Sequence, residues 1–211
     1  MKLESIRREY KKAELGTADV TSYPFPLFET WINEALKSNQ RDATAFSLIT
    51  IGEDSFPQSR IVLLKQYTED GFVFYTNYQS QKGKAIEKNS RVGMHFFWPE
   101  LERQIRISGF AEKTSSMVSD KYFHSRPLES QIAAVISGQS SAIPNRKYIE
   151  EQFERLKNEL RGNNPERPEY WGGYLVRPKK FEFWQGRENR LHDRIVYEKN
   201  AEEWKIKRLA P

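Results

Sequence analysis

The sequence has no cysteine among its 211 residues. This absence excludes a thiol nucleophile, a disulfide and any metal or iron–sulfur centre held by thiolates. Redox chemistry would therefore need a bound cofactor. Long apolar runs are also absent: "IAAVI" at 132–136 is far too short to span a bilayer. The first fifteen residues are charged throughout and lack the apolar core of a secretory signal, so we expect a soluble, cytoplasmic protein.

Several motifs of known chemistry are missing as well. The three histidines, His95, His124 and His192, do not have metal-ligand spacing, and no HExxH motif or carboxylate cluster supports them. We therefore expect no metal site. No GxGxxG motif follows a strand pattern, and neither a GxxxxGK[ST] loop nor a G-x-S-x-G elbow occurs. These absences weigh against dinucleotide-binding, nucleotide-triphosphate and serine-hydrolase functions.

The composition is that of a folded protein with a modest basic excess. Hydrophobic residues make up 37% and aromatic residues 13% of the chain, which argues against disorder. The net charge of +5 comes from 34 Lys and Arg against 29 Asp and Glu, with both signs interspersed. The length suits one medium domain. A small anionic ligand fits this charge at least as well as a polyanion does.

Hydrophobic patterning predicts a mainly antiparallel β protein with flanking helices, of the α+β class. A helix over 27–38 places Leu27, Trp31, Ile32, Ala35 and Leu36 on one side. Three further helices are expected: a short one opened by Ser80, one over 115–136 interrupted at Pro127, and one over 145–161 with Gly162 as its C-cap. The predicted strands are 44–51, 59–66, 71–77, 91–98, 102–112, and four more at 172–178, 180–186, 191–197 and 203–209. Short turns imply antiparallel pairing, and hence a closed or nearly closed small barrel with helices outside.

The stretch "FWQGRENRLHDRIVY" at 183–197 concentrates basic and aromatic residues. Read as a strand, its period of two places Arg190, His192 and Arg194 on one face. Three potentially cationic side chains on one face repel one another unless an anion or solvent lies opposite them. A solvated strand explains the pattern as well as an anion site does, and Trp184 nearby favours a site.

Two other stretches combine features suited to phosphate. In "SQKGKAIE", Ser80 is a good N-cap, and Lys82 and Lys84 lie in the first helical turn, where a ligand anion would offset their unfavourable interaction with the helix dipole. In "SRIVLLK", the odd separation sends Arg60 and Lys65 to opposite faces of one strand. An ordinary surface helix would also explain the first pattern, and a buried strand with a charged residue at each end would also explain the second.

The stretch "KYFHSRPLESQ" at 121–131 supplies two hydroxyls and a guanidinium at a spacing of four. Tyr122, Arg126 and Ser130 would form a good grip for phosphate near the helix junction at Pro127. A capped, solvated helix end explains the pattern almost as well. The residues alone thus indicate a basic, aromatic-lined barrel with several corners suited to phosphate.

A set of motifs spread in order over nearly the whole chain resembles one family. These are "RIVLLK", "VFYTN", "LERQIRISG", "YFHSRP", "SQIAAVIS-GQSS", "WGGY", "EFWQG", "NRLHDR" and "RLAP". Together they resemble the pyridoxine/pyridoxamine 5′-phosphate oxidases of the FMN-binding split-barrel type. The resemblance implies a homodimer with FMN at the subunit interface. It also implies oxidation of pyridoxamine or pyridoxine 5′-phosphate at C4′ to pyridoxal 5′-phosphate, with hydride passing to flavin N5 and O2 reduced to H2O2, as a step of vitamin B6 biosynthesis.

The resemblance also assigns residues. The expected FMN contacts are Arg60, Ile61, Val62, Leu63, Leu64, Lys65, Tyr75, Thr76, Gln81, Lys82, Gln104, Gln139, Ser140, Trp184 and Arg194. The expected substrate contacts are Arg7, Arg8, Glu9, Tyr10, Lys65, Tyr122, Arg126, Ser130, Arg190, Leu191 and His192. Arg190 and His192 are the expected catalytic pair, and Asp42 matches an acidic residue near the site. Residues 1–22 match an N-terminal helical or flexible segment that can close over the substrate, and 23–211 match a single domain that includes C-terminal dimerisation strands.

One position departs from the family pattern, because Gln81 stands where Arg is usual. Glutamine still donates a hydrogen bond but brings no charge, and we expect Arg60, Lys82 and Arg194 to keep FMN binding tight. Two alternatives remain at this point. A basic barrel binding single-stranded nucleic acid through stacking aromatics would be colourless and salt-sensitive. A split-barrel flavoprotein of another specificity, or a flavin or vitamer carrier, would be yellow but inert toward pyridoxamine 5′-phosphate.

Overall fold

The computed structural model describes residues 9–38 and 41–211. Its helices are α1 (Phe25–Lys37), α2 (Gln81–Lys88), α3 (Ser116–Ser125), α4 (Leu128–Ile136) and α5 (Arg146–Leu160). Its strands are β1 (Ala45–Ile51), β2 (Pro57–Leu63), β3 (Gln66–Thr68), β4 (Gly71–Asn77), β5 (Arg91–Trp98), β6 (Arg103–Lys113), β7 (Trp171–Gln185), β8 (Asp193–Asn200) and β9 (Glu203–Leu209). The predicted antiparallel β architecture with flanking helices is confirmed.

All pairings in the sheet are antiparallel, and the sheet curls until its two ends meet. The strand order is β2-β1-β5-β6-β7-β4-β3, with β8 and β9 added beside β7. The amide of Leu64 donates to Thr44 beside β1, whereas the next amide, of Lys65, donates to Val73 in β4. The chain therefore crosses here from one end of the sheet to the other. This crossing ends β2 at Leu63, so the predicted single strand 59–66 was wrong.

The barrel interior is filled by aromatic side chains. Phe28 of α1 is fully buried, and its ring centroid lies 4.9 Å from that of Phe72 in β4 and 5.7 Å from that of Phe96 in β5. Burial of each such ring contributes about 1.5–3 kcal/mol. Helix α1 begins two residues earlier than predicted because Pro26 is accommodated in its first turn. Leu36, predicted to face the core, is 56% exposed.

Strand β7 is one continuous strand of 15 residues where two were predicted. The turn expected around Pro178 and Lys179 is instead a β-bulge: Ser108 of β6 pairs with Lys180, and the next residue, Gly109, pairs with Pro178. The extra residue bends the strand without ending it. This long strand carries Trp171 at its start and Trp184 near its end.

The segment before β8 differs from its predicted structure, and the difference affects the candidate site. Glu188–Arg190 forms a 3-10 turn, and β8 begins only at Asp193. Asn189 and Arg190 have φ values of 54° and 62°, in the left-handed region. The prediction that Arg190, His192 and Arg194 share one strand face was therefore wrong, because only Arg194 belongs to the strand.

The helices outside the barrel follow the predictions closely. Helices α3 and α4 are separated at Pro127, and α5 lies within one residue of its predicted bounds. Its C-cap is Arg161, with φ of 50°, and Gly162 follows it, so the predicted cap was off by one residue. Over residues 9–38 and 41–211, no helix is both long and apolar enough to cross a membrane.

Candidate active site

A cavity lies where β2, β4, α2, α3 and α4 approach one another. Its volume is about 640 Å³, within the usual range for small-molecule sites. Its lining residues are Ile61, Val62, Leu63, Lys65, Tyr75, Thr76, Asn77, Lys82, Tyr122, Arg126, Pro127, Ser130, Ala133, Ala134, Ser137, Gln139 and Trp171. Lys65 lies in the link after β2, so Arg60 and Lys65 are not opposed on one strand as predicted.

Two cations lie close together here: Lys82, which lines the cavity, and Arg60, which is near Lys82 but outside the lining. Lys82 is 9% exposed, and its Nζ donates to Gln139 Oε1 at 2.8 Å and to the hydroxyls of Thr76 and Ser80 at 3.2 Å. Burial, with the nearby Arg60 guanidinium, lowers the pKa of Lys82 to about 8. Arg60 also donates only to neutral oxygens, the closest being Thr50 Oγ1 at 2.8 Å. Across residues 9–38 and 41–211, neither cation has a carboxylate within 4.0 Å, so the site favours an added anion.

Helix α2 begins beside these cations. Ser80 Oγ accepts the Gly83 amide at 3.3 Å, which is the predicted N-cap. Gly83 is required there, because a Cβ at this position would collide with the Tyr78 carbonyl. The amide of Gln81 donates to Ser140 Oγ at 3.3 Å, which ties the helix start to the loop after α4. The amide groups and positive dipole end of α2 add to the anion-binding character.

Another part of the cavity lining is aromatic and basic. Tyr75 and Tyr122 stack with centroids 3.8 Å apart and planes 17° apart. Trp171 continues the stack, 5.6 Å from Tyr75. Arg126 and Ser130 lie beside it at the α3–α4 junction, so the predicted hydroxyl–guanidinium–hydroxyl set does line one cavity.

A second group of predicted residues lies elsewhere on the chain. Gln104, Trp184 and Arg194 are neighbours in register on β6, β7 and β8, and none of them lines the cavity. Gln104 Oε1 lies 2.8 Å from His95 Nε2. Arg194 donates to the buried carboxylate of Glu182 at 2.8 and 3.0 Å. The predicted site residues are therefore divided between two places within one chain.

His192 and Arg190 belong to this second group. The His192 ring centroid lies 4.7 Å from that of Trp184, and Nδ1 accepts the Arg187 amide at 3.1 Å. This hydrogen bond places the proton of the neutral imidazole on Nε2. Burial and the charge of Arg190 lower the pKa of His192. Arg190 and Leu191 are exposed, and Leu191 is 68% exposed.

The chain from Tyr10 to Gly16, here termed the strap, packs against the second group. The Tyr10 ring lies 5.6 Å from Trp184 and 5.7 Å from His192, and a Cβ on Gly186 would come within 2.7 Å of it. Glu102 Oε2 accepts the amides of Lys11 and Lys12 at 2.8 and 3.0 Å.

Asp193 Oδ2 anchors the other end of the strap by accepting the Leu15 amide at 3.1 Å. The sequence reasoning missed the roles of Glu102 and Asp193. The only available signal was a carboxylate within each of the motifs "LERQ" and "LHDR".

The remaining predicted residues are either absent from the cavity lining or outside the described residues. Glu9 is exposed, and Asp42 is an exposed residue with φ of 54° just before β1 that does not line the cavity. Arg7 and Arg8 lie outside the described residues. Leu64 is buried behind the cavity wall, while Gln81 and Ser140 lie at the start of α2.

Comparison with known proteins identifies the family. The family model described as pyridoxamine 5′-phosphate oxidase matches residues 32–159, and that of the pyridoxine 5′-phosphate oxidase C-terminal dimerisation region matches residues 171–211. The chain belongs to the pyridoxamine 5′-phosphate oxidase family. The match to this family spans both groups of candidate site residues, since the second model contains Trp184, His192 and Arg194.

Individual relatives of the pyridoxamine 5′-phosphate oxidase family match along the full length. A pyridoxine/pyridoxamine 5′-phosphate oxidase from Flavobacterium johnsoniae is 49% identical over 99% of this chain and 98% of its own. The enzyme of the same name from Vibrio vulnificus is 47% identical over the whole of both chains.

Solved structures support the same fold. PhzG from Burkholderia lata, solved with tetrahydrophenazine-1-carboxylic acid, superposes with a TM-score of 0.87 at 28% identity, covering 92% of this chain and 95% of its own. A pyridoxamine 5′-phosphate oxidase-related, FMN-binding protein from Nostoc punctiforme superposes with a TM-score of 0.74 at 16% identity, covering 91% and 100%. The second likeness shows the fold alone, which is the split barrel predicted for this chain.

The residues present fit a phosphate-bearing cofactor. Lys82 in the first turn of α2 and the nearby Arg60 of β2 have no acidic partner among the described residues, which suits a phosphate. The cavity is also bounded by exposed apolar side chains of β2, with Ile61 68% exposed. An aromatic ring system would cover such a surface.

Proposed function

We propose that this chain is an FMN-dependent oxidase that converts pyridoxamine 5′-phosphate and pyridoxine 5′-phosphate to pyridoxal 5′-phosphate, with reduction of O2 to H2O2. The observation that carries the proposal is a cavity lined by three cations, which we divide into two corners. Lys82 lines the first corner, with Arg60 close to it outside the lining, and Lys65 and Arg126 of the lining are assigned to the second. Two phosphates, one of a cofactor and one of a substrate, suit this arrangement in a chain of this family.

The first corner would hold FMN. Arg60, Lys82 and the start of α2 would bind its phosphate, and the backbone of 61–65 with Tyr75, Thr76, Gln139 and Ser140 would border the rest. When bound, FMN would supply the acceptor for the hydride leaving C4′ and pass the electron pair to O2. The chain itself lacks cysteine and so supplies orientation and electrostatics.

The second corner would hold the substrate. Lys65 and Arg126 bring positive charge, and Tyr122 and Ser130 bring hydroxyls that donate to phosphate oxygens. A phosphate held at this corner fixes one end of the substrate, which limits the positions open to the pyridine ring. Such fixing lowers the entropy that must be lost before reaction.

Arg190 and His192 would act beside the substrate ring. Because His192 Nδ1 accepts the Arg187 amide, Nε2–H is the group free to donate a hydrogen bond. Arg190 supplies a fixed positive charge next to it. Together they would stabilise negative charge on the ring substituents while the strap residue Tyr10 excludes water.

A homodimer would unite the two groups of residues. The cavity of one chain lacks Gln104, Trp184, Arg190, His192 and Arg194, and the last four lie in the segment matching a dimerisation region. We infer that these residues complete the cavity of the second copy. Residues 171–211 would then be both an interface and part of the site, and residues 23–211 would act as one domain with the N-terminal segment 1–22 covering the substrate.

The test is turnover by purified protein. With pyridoxamine 5′-phosphate, the protein should consume O2 and water and yield pyridoxal 5′-phosphate, ammonia and H2O2 in equal amounts. A yellow protein that binds flavin but leaves pyridoxamine and pyridoxine 5′-phosphates unchanged would instead support a flavoprotein of another specificity.

A further inference from the structure

Trp171, the first residue of β7, has no role in the assignments above although it lines the cavity. We propose that Trp171 is a positioning residue for substrate phosphate, whose indole face holds the Arg126 guanidinium in place at the cavity wall. This inference rests on the proposed function, because it concerns the corner assigned to the substrate.

The surroundings of the Arg126 guanidinium lack an acidic partner. Its Cζ lies 4.7 Å from the Trp171 ring centroid and 5.9 Å from that of Phe123. Its Nη1 is buried and has no hydrogen-bond partner in the described part of the chain, where no carboxylate lies within ion-pair distance either. Among the described residues, the guanidinium is thus contacted by two aromatic faces, and its buried Nη1 is available to donate to an anion.

The backbone of Arg126 is already fixed. Pro127 follows it, which restricts Arg126 to the extended region, and its φ and ψ are −81° and 152°. Gln131 Nε2 donates to its carbonyl at 2.8 Å. Only the Arg126 side chain therefore remains free to rotate, and its contact with the Trp171 ring, the platform, restricts that rotation.

The platform is itself held on two sides. Trp171 pairs with Asn77 of β4. Arg167 donates from Nη1 to the Trp171 carbonyl at 2.5 Å and from Nε to Asp120 at 2.5 Å. Because Asp120 belongs to α3, Arg167 links the platform to the helix that carries Tyr122. The Tyr122 and Trp171 rings are accordingly within 4° of parallel.

Kinetic measurements can distinguish a positioning role of Trp171 from a role in packing alone. Loss of the indole should weaken binding of a phosphorylated ligand, since Arg126 would contact the phosphate and not the reacting carbon. The KM for pyridoxamine 5′-phosphate should rise while kcat is preserved. A general packing defect would lower kcat and flavin content as well.

The experiment compares Trp171→Leu, Trp171→Phe and a matched control in the FMN-loaded enzyme. The control is Trp31→Leu, which removes an equally buried indole whose face lies 4.6 Å from the Arg103 guanidinium, away from the cavity. Trp171→Leu should raise KM about tenfold, which corresponds to about 1.4 kcal/mol, with kcat within about twofold. Trp171→Phe keeps an aromatic face and should raise KM by no more than about threefold. Trp31→Leu should leave KM unchanged.

Equilibrium dialysis with pyridoxal 5′-phosphate gives a reading independent of turnover, and its Kd should follow KM. In an Arg126→Gln background, Trp171→Phe should have no further effect on Kd, and this comparison serves even if Trp171→Leu does not fold. An unchanged KM and Kd in the Trp171 variants would overturn the inference, as would an equal loss in Trp31→Leu or an undiminished effect in the Arg126→Gln background. A wild-type protein that binds pyridoxal 5′-phosphate but has no oxidase activity would refute the proposed function and leave the dialysis result to decide the role of Trp171.

Discussion

Replacement of Lys82 by Met should stabilise the flavin-free protein while weakening its affinity for FMN. Lys82 is 9% exposed, and its pKa is lowered from 10.5 to about 8, with burial as the main cause. A difference of this size corresponds to about 3 kcal/mol of unfavourable free energy for the charged form. Three hydrogen bonds to neutral oxygens would be lost, but Thr76 and Ser80 keep other partners. The net gain in the free energy of unfolding should be about 1–2 kcal/mol, or about 4 °C in Tm.

The sign of the pH dependence follows from the same shift. Because the folded-state pKa of Lys82 lies below the unfolded value, the unfolded chain binds more protons between about pH 8 and 10.5. The contribution of Lys82 to stability therefore rises over that window and is least favourable below it. In Lys82→Met, this part of the rise should be missing from a plot of Tm against pH.

The affinity for FMN should change in the opposite direction. Loss of one charged hydrogen bond to the FMN phosphate costs about 1.5–3 kcal/mol, or about 10- to 150-fold in Kd. Flavin fluorescence quenching measures this Kd, and thermal unfolding of flavin-free protein measures Tm. The matched control is Lys84→Met on the same helix, where the side chain is exposed and both quantities should be nearly unchanged. A lower Tm together with an unchanged Kd in Lys82→Met would show that this lysine is structural and refute the reasoning.

Three further substitutions test other parts of the site. Arg190→Ala should lower kcat far more than flavin content, since the exposed guanidinium would contact substrate. If the variant is as active as the wild-type protein in stopped assays, Arg190 has no part in the mechanism. Phe97→Glu places a charge at a position whose side chain is 54% exposed and which is in register with Gln104. Sedimentation velocity should show monomers with reduced flavin content. An intact dimer would show that Phe97 does not lie in the interface. Glu102→Ala removes the acceptor of the Lys11 and Lys12 amides, so limited proteolysis at the strap should accelerate, whereas unchanged cleavage would show that other contacts hold the strap.

Much of the fold was predictable because its determinants are local. Runs of apolar and alternating residues bounded by turn signals gave β1, β4, β5 and β6 within about one residue, and Pro127 separated α3 from α4 as expected. The crossing at Leu64 and Lys65 was not predictable from periodicity, because both sides of it look like strand. Its cause is a change of hydrogen-bonding partner from Thr44 to Val73.

The candidate site, too, was predictable from the sequence only in part. Residue types suited to phosphate marked Lys82, Arg126 and Ser130, and the structure places all three around one cavity. Periodicity failed at Arg190 because Asn189 and Arg190 adopt left-handed backbone, which interrupts a strand-like pattern. The carboxylate of Glu102 acts on amides about 90 residues away in the chain, and such a partner has no local signature.

Anaerobic mixing of the yellow protein with pyridoxamine 5′-phosphate tests the central claim most directly. The flavin absorbance should bleach within the turnover time, and admission of O2 should restore it with release of H2O2 in an amount equal to the pyridoxal 5′-phosphate formed. A flavin absorbance that stays unchanged with both pyridoxamine and pyridoxine 5′-phosphates, in protein shown to bind them, would contradict the account.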